Sequence, residues 1–133
     1  MIFVDSSVWI DYFNGAQTPE TDFLDAAFST DSICLGDIIL AEVLQGFRTD
    51  ADFRNARDLL IALPIYQVLN PDLAITSAEH YRRLRKRGIT IRKSVDVWIA
   101  TFCIENSLLL LFSDRDFQPF VEHLKLKSPL QYT

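Results

Sequence analysis

Four short apolar runs, each separated from the next by longer stretches with helical spacing, constrain this chain more than any other feature. "IFV" (Ile2–Val4), "SICLG" (Ser32–Gly36), "IYQVL" (Ile65–Leu69) and "LLLLF" (Leu108–Phe112) have the length and β-branched, aromatic or leucine-rich character of buried strands. Continuous apolar strands without alternation need cover on both faces, and strands that alternate with helices form βαβ units. The pattern therefore predicts an α/β fold with three layers, α/β/α, around a central, mainly parallel sheet. A further short edge strand is predicted at "LKSP" near the C-terminus.

The helices follow from the remaining segments. "VWIDYF" should begin just after the first strand, and Pro19–Phe28 opens with proline and acids, as helix starts do. Asp37 is a plausible N-cap for the helix through Glu42. Ala51–Leu63 should be stopped by Pro64, and a long helix should run from about Asp72, capped by Asn70 or Asp72, to Gly88. Another covers about Ser94 to Glu105, and "SDRDFQPFVEHL" should form a turn and short helix. With 133 residues and 49% hydrophobic content the chain can bury one core, so residues 1–133 are read as a single domain.

A formal net charge of −5 and a pI near 4.9 exclude nucleic-acid binding by bulk positive charge. Cys34 and Cys103 lie in apolar stretches without redox or metal-ligand spacing, which reads as two buried reduced thiols in a cytoplasmic protein. "MIFVD" has no basic segment leading into a long apolar one, and "LLLLF" is far shorter than the ~20 residues of a membrane span.

Acids recur in apolar surroundings: Asp5 in "IFVDSSVWIDYF", Glu42 in "LAEVLQGF", Asp96 in "KSVDVWIATFCI", and Asp114 and Asp116 in "LLLLFSDRDFQPF". Each aspartate has a structural explanation: Asp5 or Ser6 as an N-cap, Asp96 in a first turn capped by Ser94, Ser113 with Asp116 as a capping box. Glu42, mid-helix among Leu40, Ala41, Val43 and Leu44, has none of these unless it faces solvent. Two acids at strand ends and two on helices bordering the same sheet edge can converge on one pocket, where parallel sheets bind ligands. Converging carboxylates repel unless protonated or neutralised by cations. An all-oxygen donor set favours Mg²⁺, with Mn²⁺ possible, over zinc. His80 and His123 lie in segments that read as solvated helix surface.

"VDSSVWIDYF", "LAEVLQGF", "VDVWIATFC" and "SDRDF", in that order, resemble the PIN-domain ribonucleases, and most closely the VapC toxins of toxin–antitoxin pairs. The resemblance spans the whole chain. It implies a Mg²⁺-dependent endoribonuclease with Asp5, Glu42, Asp96 and Asp114 as catalytic acids, Asp116 being a second candidate beside Asp114. Asp5 and Asp96 are then metal ligands, Asp114 a second-metal or water-mediated ligand, and Glu42 a ligand or a water-orienting base. Ser6 and Ser7 match the hydroxyl residues after the first acid, while Ser113 stands where threonine is common, which keeps the hydroxyl. The family also implies a VapB-like antitoxin that blocks the acidic pocket, a homodimer, and a toxin–antitoxin hetero-oligomer.

An acidic nuclease needs local positive charge for RNA. "YRRLRKRG" with Arg92 and Lys93 supplies it just before Asp96, and Arg85, Arg87, Arg92 and Lys93 are candidate phosphate contacts. Basic residues at a helix C-terminus also complement its dipole, so a purely structural role stands beside this one. Trp9, Phe13 and Trp98 fit helical core spacing and are expected inside. An aspartate-nucleophile phosphohydrolase would want a second Asp where Ser7 stands, and a receiver domain would want its acid after a middle strand. The remaining alternative is a catalytically silent PIN-like domain that binds RNA or a partner, which would usually have lost an acid.

Overall fold

The computed structural model describes residues 1–30 and 32–130. Its sheet has four strands in the order β3-β2-β1-β4: β1 (Ile2–Val4), β2 (Ile33–Gly36), β3 (Ile65–Tyr66) and β4 (Leu109–Leu111). Every pairing is parallel, so the mainly parallel sheet of the sequence reading is wholly parallel among the described residues. Helices α1 (Ser6–Phe13), α2 (Pro19–Thr30), α3 (Asp37–Gln45) and α4 (Asp50–Leu60) form one packed group. Helices α5 (Pro71–Lys86), α6 (Ser94–Glu105) and α7 (Gln118–Leu124) form a second, together with a 3₁₀ turn at Arg115–Phe117.

Apolar strand sequence translates directly into burial. Phe3, Val4, Cys34, Leu35, Leu110 and Leu111 are all fully buried, and the Phe3 ring lies 5.8 Å from that of Phe102 on α6. Trp9 is also fully enclosed, stacked 6.0 Å from Phe13 and 5.9 Å from Phe28. Each such side chain stabilises the fold by roughly 1.5–3 kcal/mol. Cys34 and Cys103 are buried free thiols, as read.

The departures from the sequence reading have local causes. β3 covers only Ile65–Tyr66 of "IYQVL", because β2 ends at Gly36 and offers no further partner; the Val68 N–H instead donates to Asp37 Oδ1 at 3.2 Å. Asp37 is accordingly the first residue of α3 rather than its N-cap, which is Gly36. α4 ends at Leu60, not Leu63, and Thr49 caps its start by accepting from the Asp52 N–H at 3.1 Å. α5 is capped by Asn70, with Pro71 in its first turn, and Gly88 at φ +81° follows its end. "LKSP" contributes one parallel bridge, Leu109 to Lys127, and Pro129 has no N–H with which to continue a strand.

His80 is a correction. It is only 7% exposed, and its Nδ1 lies 2.9 Å from the buried Thr101 hydroxyl, because α5 docks on α6 along that line; burial keeps its imidazole below the usual pKa. His123 is half-buried.

Gly36 is required by packing rather than by backbone conformation: a Cβ there would strike Val68 Cγ2 and meet the Phe3 ring at 3.0 Å. Gly36→Ala should therefore lower stability by roughly 1–3 kcal/mol, read as a lower urea midpoint with an unchanged slope; an unchanged midpoint would show that Val68 can move aside.

Candidate active site

The strand order reverses at β1. The chain steps from β1 to β2 and β3 on one side, then crosses to β4 on the other, so the carboxyl ends of β1 and β4 border the switch point. The register Val4–Leu111 brings Asp5 and the Phe112–Asp114 segment to the same level, and the Asp5 N–H donates to Leu111 O at 3.0 Å.

Asp5 is 4% exposed and caps α1. Its Oδ2 accepts from the Ser7 hydroxyl at 2.8 Å and the Ser7 N–H at 3.3 Å, and the Ser113 hydroxyl donates to Ser7 Oγ at 3.1 Å. This Ser113–Ser7–Asp5 chain fixes one carboxylate oxygen of Asp5. Asp114 caps the 3₁₀ turn by accepting from the Asp116 N–H at 2.9 Å, so the expected capping box of Ser113 with Asp116 is replaced: Asp114 is the cap, and Ser113 turns to Ser7.

Asp96 lies in the first turn of α6, 7% exposed, and Glu42 approaches from α3. Lys93, not Ser94, occupies the N-cap of α6, and it makes no side-chain cap bond. Asp96 Oδ2 and Glu42 Oε1 are buried with no hydrogen-bond partner. Such orphaned oxygens are costly unless protonated or ligated. Burial is the main cause that raises the pKa of Asp5, Glu42 and Asp96, and the Asp5 charge adds to it at the other two; Asp96 is pushed up to about 7. The Asp114 charge likewise acts on Asp5 and Asp96, as expected of acids that border one crevice.

Two cations guard its rim. Lys93 Nζ lies 3.6 Å from Asp114 Oδ2, and Arg92 pairs with Asp116 at 3.2 Å. Carboxylate oxygens of Asp96, Asp114 and Asp116 fall within 4.8 Å of one another, a spacing that one cation could bridge. The donor set is all oxygen, and its Asp96 has a buried oxygen with no hydrogen-bond partner among the described residues, so the residues fit a hard divalent ion.

The other sequence candidates separate. Ser6 begins α1 half-buried beside Asp5, and Ser7 orients Asp5. Arg92 and Lys93 reach the acids, whereas Arg85 packs its guanidinium 5.7 Å from the Tyr81 ring and Arg87 is exposed at the C-cap of α5. Trp98, like Phe13, is half-buried and packs against the core, with an open groove beside it on the outer side of α6. The Ser7–Ser113 bond was not legible beforehand, since 106 residues separate its partners.

The PIN domain family model matches residues 2–120, and the chain belongs to the PIN-domain family. Ribonuclease VapC11 of Mycobacterium tuberculosis and VapC ribonuclease Mb1587 of Mycobacterium bovis are each 30% identical over 122 residues, covering 88% of this chain and 89% of each relative. Among solved structures, VapBC2 from Rickettsia felis, bound to a DNA fragment from its promoter, matches with a TM-score of 0.74 at 18% identity, covering 96% of this chain and 97% of that one. Mycobacterium tuberculosis VapC20, a sarcin–ricin-loop-cleaving toxin, matches with a TM-score of 0.65 at 17% identity over 89% and 93% of the two chains. No helix among the described residues is long and apolar enough to cross a membrane.

The raised Asp96 pKa has a consequence for stability. The folded protein keeps a proton on Asp96 up to about pH 7, whereas the unfolded chain releases it near 3.8, so this contribution is full below that value and is lost as pH rises through about 7. The metal-free protein should melt at a lower temperature at pH 8 than at pH 5.5. Asp96→Asn should raise stability at pH 8 by about 1–3 kcal/mol and flatten the profile. A melting temperature that rises over this range in both proteins would contradict the repulsive site.

Proposed function

We propose that this protein is a divalent-metal-dependent endoribonuclease that serves as the toxin of a toxin–antitoxin pair. The observation that carries the reading is an acidic crevice in which carboxylate oxygens of Asp96, Asp114 and Asp116 lie within 4.8 Å of one another, and in which buried oxygens of Asp96 and Glu42 have no hydrogen-bond partner among the described residues. The named ribonuclease relatives and the toxin–antitoxin neighbours support the same activity.

Asp5 and Asp96 would hold the ion, Mg²⁺ or Mn²⁺, with Glu42 and Asp114 completing the set and Asp116 offering a further oxygen beside Asp114. When bound, the ion would neutralise phosphate charge and make a water acidic enough to attack phosphorus in line. The protein's own part is positional. The Ser113–Ser7–Asp5 chain holds the carboxylate still, and Glu42, raised in pKa by burial, can accept a proton from an approaching water. Arg92 and Lys93, held at the rim by Asp116 and Asp114, can turn to the phosphates of an incoming strand. Ser6 lines the same entrance.

The partners follow from the charge of the pocket. A VapB-like antitoxin that inserts a basic side chain among the carboxylates would silence them, and the toxin would act in the cytoplasm as a homodimer or as a toxin–antitoxin hetero-oligomer. A silent binding domain would need no intact acid cluster, and here every acid is present.

Purified chain freed of any co-purifying partner should cut total cellular RNA into discrete fragments with Mg²⁺ or Mn²⁺ and not with EDTA. Asp5→Asn and Asp96→Asn should each reduce cleavage by roughly 100-fold or more while the fold, followed by circular dichroism, persists. Full activity in either variant would refute the assignment of these two acids.

A further inference from the structure

Among the described residues a second site lies on α5 and α6, outside the acid cluster. A groove of about 360 Å³ runs between the two helices, floored by Ala74, Ser77 and Ala78 of α5 and walled by Tyr81, Arg82 and Arg85 on one side and Ser94, Val97 and Trp98 on the other. Ser77 is 2% exposed, and its hydroxyl is enclosed beneath the groove rather than presented to it. Two half-buried aromatic rings and two exposed guanidinium groups surround it.

The charge of this face identifies the class of ligand. Five basic side chains, Arg82, Arg83, Arg85, Lys86 and Arg87, crowd the end of α5 in a chain whose net charge is −5, and none forms an ion pair among the described residues. Arg85 is oriented over the Tyr81 ring. A second copy of this chain docked here would bring a second set of the same basic side chains to the face, which adds like charge. A polyanion with flat bases meets the groups the groove presents: rings for stacking and guanidiniums for phosphate.

The groove is also placed to share a strand with the acids. Ser94, Val97 and Trp98, at spacing i, i+3 and i+4, form one side of α6, and Asp96 projects from the other side of the same first turn. A strand crossing the N-terminal end of α6 passes from one to the other. That end has no side-chain cap, so its positive dipole lies under the crossing, flanked by Lys93.

We propose that the α5–α6 groove is an RNA subsite that holds one unpaired nucleotide of the substrate strand beyond the scissile phosphate. The base stacks on Trp98 with Tyr81 opposite, and Arg82 and Arg85 hold its phosphates. This rests on the ribonuclease reading and adds to it a determinant of substrate choice: the cut must lie next to a single-stranded nucleotide.

The test is binding of a short, labelled, single-stranded RNA of mixed sequence in EDTA, together with cleavage kinetics in Mg²⁺, for the full chain and groove variants. Trp98→Ala, and Ala78→Trp, which fills the groove from an exposed position, should each weaken binding and raise KM about tenfold with kcat little changed. Trp98→Phe should retain most affinity, because a ring remains. Arg82→Ala with Arg85→Ala should weaken binding and lower the salt dependence by about one to one and a half logarithmic units per decade. Should a variant at Trp98 or Ala78 melt early, the double arginine variant gives the reading. Wild-type affinity and KM in the groove variants, with metal-dependent cleavage intact in the parent, would overturn the subsite and leave the nuclease standing. A fall in sedimentation mass with RNA affinity unchanged would overturn it in favour of an interface between copies. Absence of both RNA binding and cleavage in the parent chain would remove the ribonuclease reading and the subsite with it.

Discussion

The parallel pairing of β1 with β4 is the contact on which the site depends. β1 is only three residues long, and it is bonded to β2 on one side and β4 on the other, so its end is fixed from both directions. Because Val4 and Leu111 are in register, the polypeptide leaves both strands at one level, and the acid that follows each is delivered to the same crevice. A slip of one residue would move Phe3 and Leu110 to the opposite face of the sheet, against helices packed for other side chains, so core packing itself holds the two acids together. Stability and the site geometry therefore share a single cause.

The site in turn opposes the fold. Burial and mutual repulsion raise the pKa of Asp5, Glu42 and Asp96, and Lys93 relieves the last two only in part. An isolated carboxylate in such a place would protonate, and a cluster of them binds cations or a cationic partner instead. Cation binding and inhibition by a basic partner segment are thus two outcomes of one electrostatic property. The salt links of Arg92 and Lys93 show the protein supplying a provisional version of the same neutralisation from its own rim.

Positive charge is divided between two places. Arg92 and Lys93 are committed to the acids, while the cluster on α5 has no acidic partner and stands beside the α5–α6 groove. In a chain of net negative charge this division gives an anionic strand a path toward the carboxylates that bulk charge would refuse it. Trp98 links the two regions, since it lies on the same helix as Asp96 but on the opposite side.

Much of this was legible in the order of residues. Short apolar runs between helical segments determined the parallel sheet, because strands covered on both faces admit no polar alternation, and the acids after β1 and β4 were placed by the strand ends alone. Glu42 and Asp96 were singled out by the apolar sequence around them, which left solvent as an unlikely neighbour only once the helices packed. Sequence could not decide what depends on contacts across the chain. The Ser113–Ser7–Asp5 chain, the burial of His80 against Thr101, the early end of β3 where Asp37 takes the Val68 N–H, and the opening that leaves Trp98 half-exposed all join residues far apart in order. Local propensity and periodicity assign each segment its form and its buried side, but which side chains meet is settled by how the segments dock, and that information exists only in the folded chain.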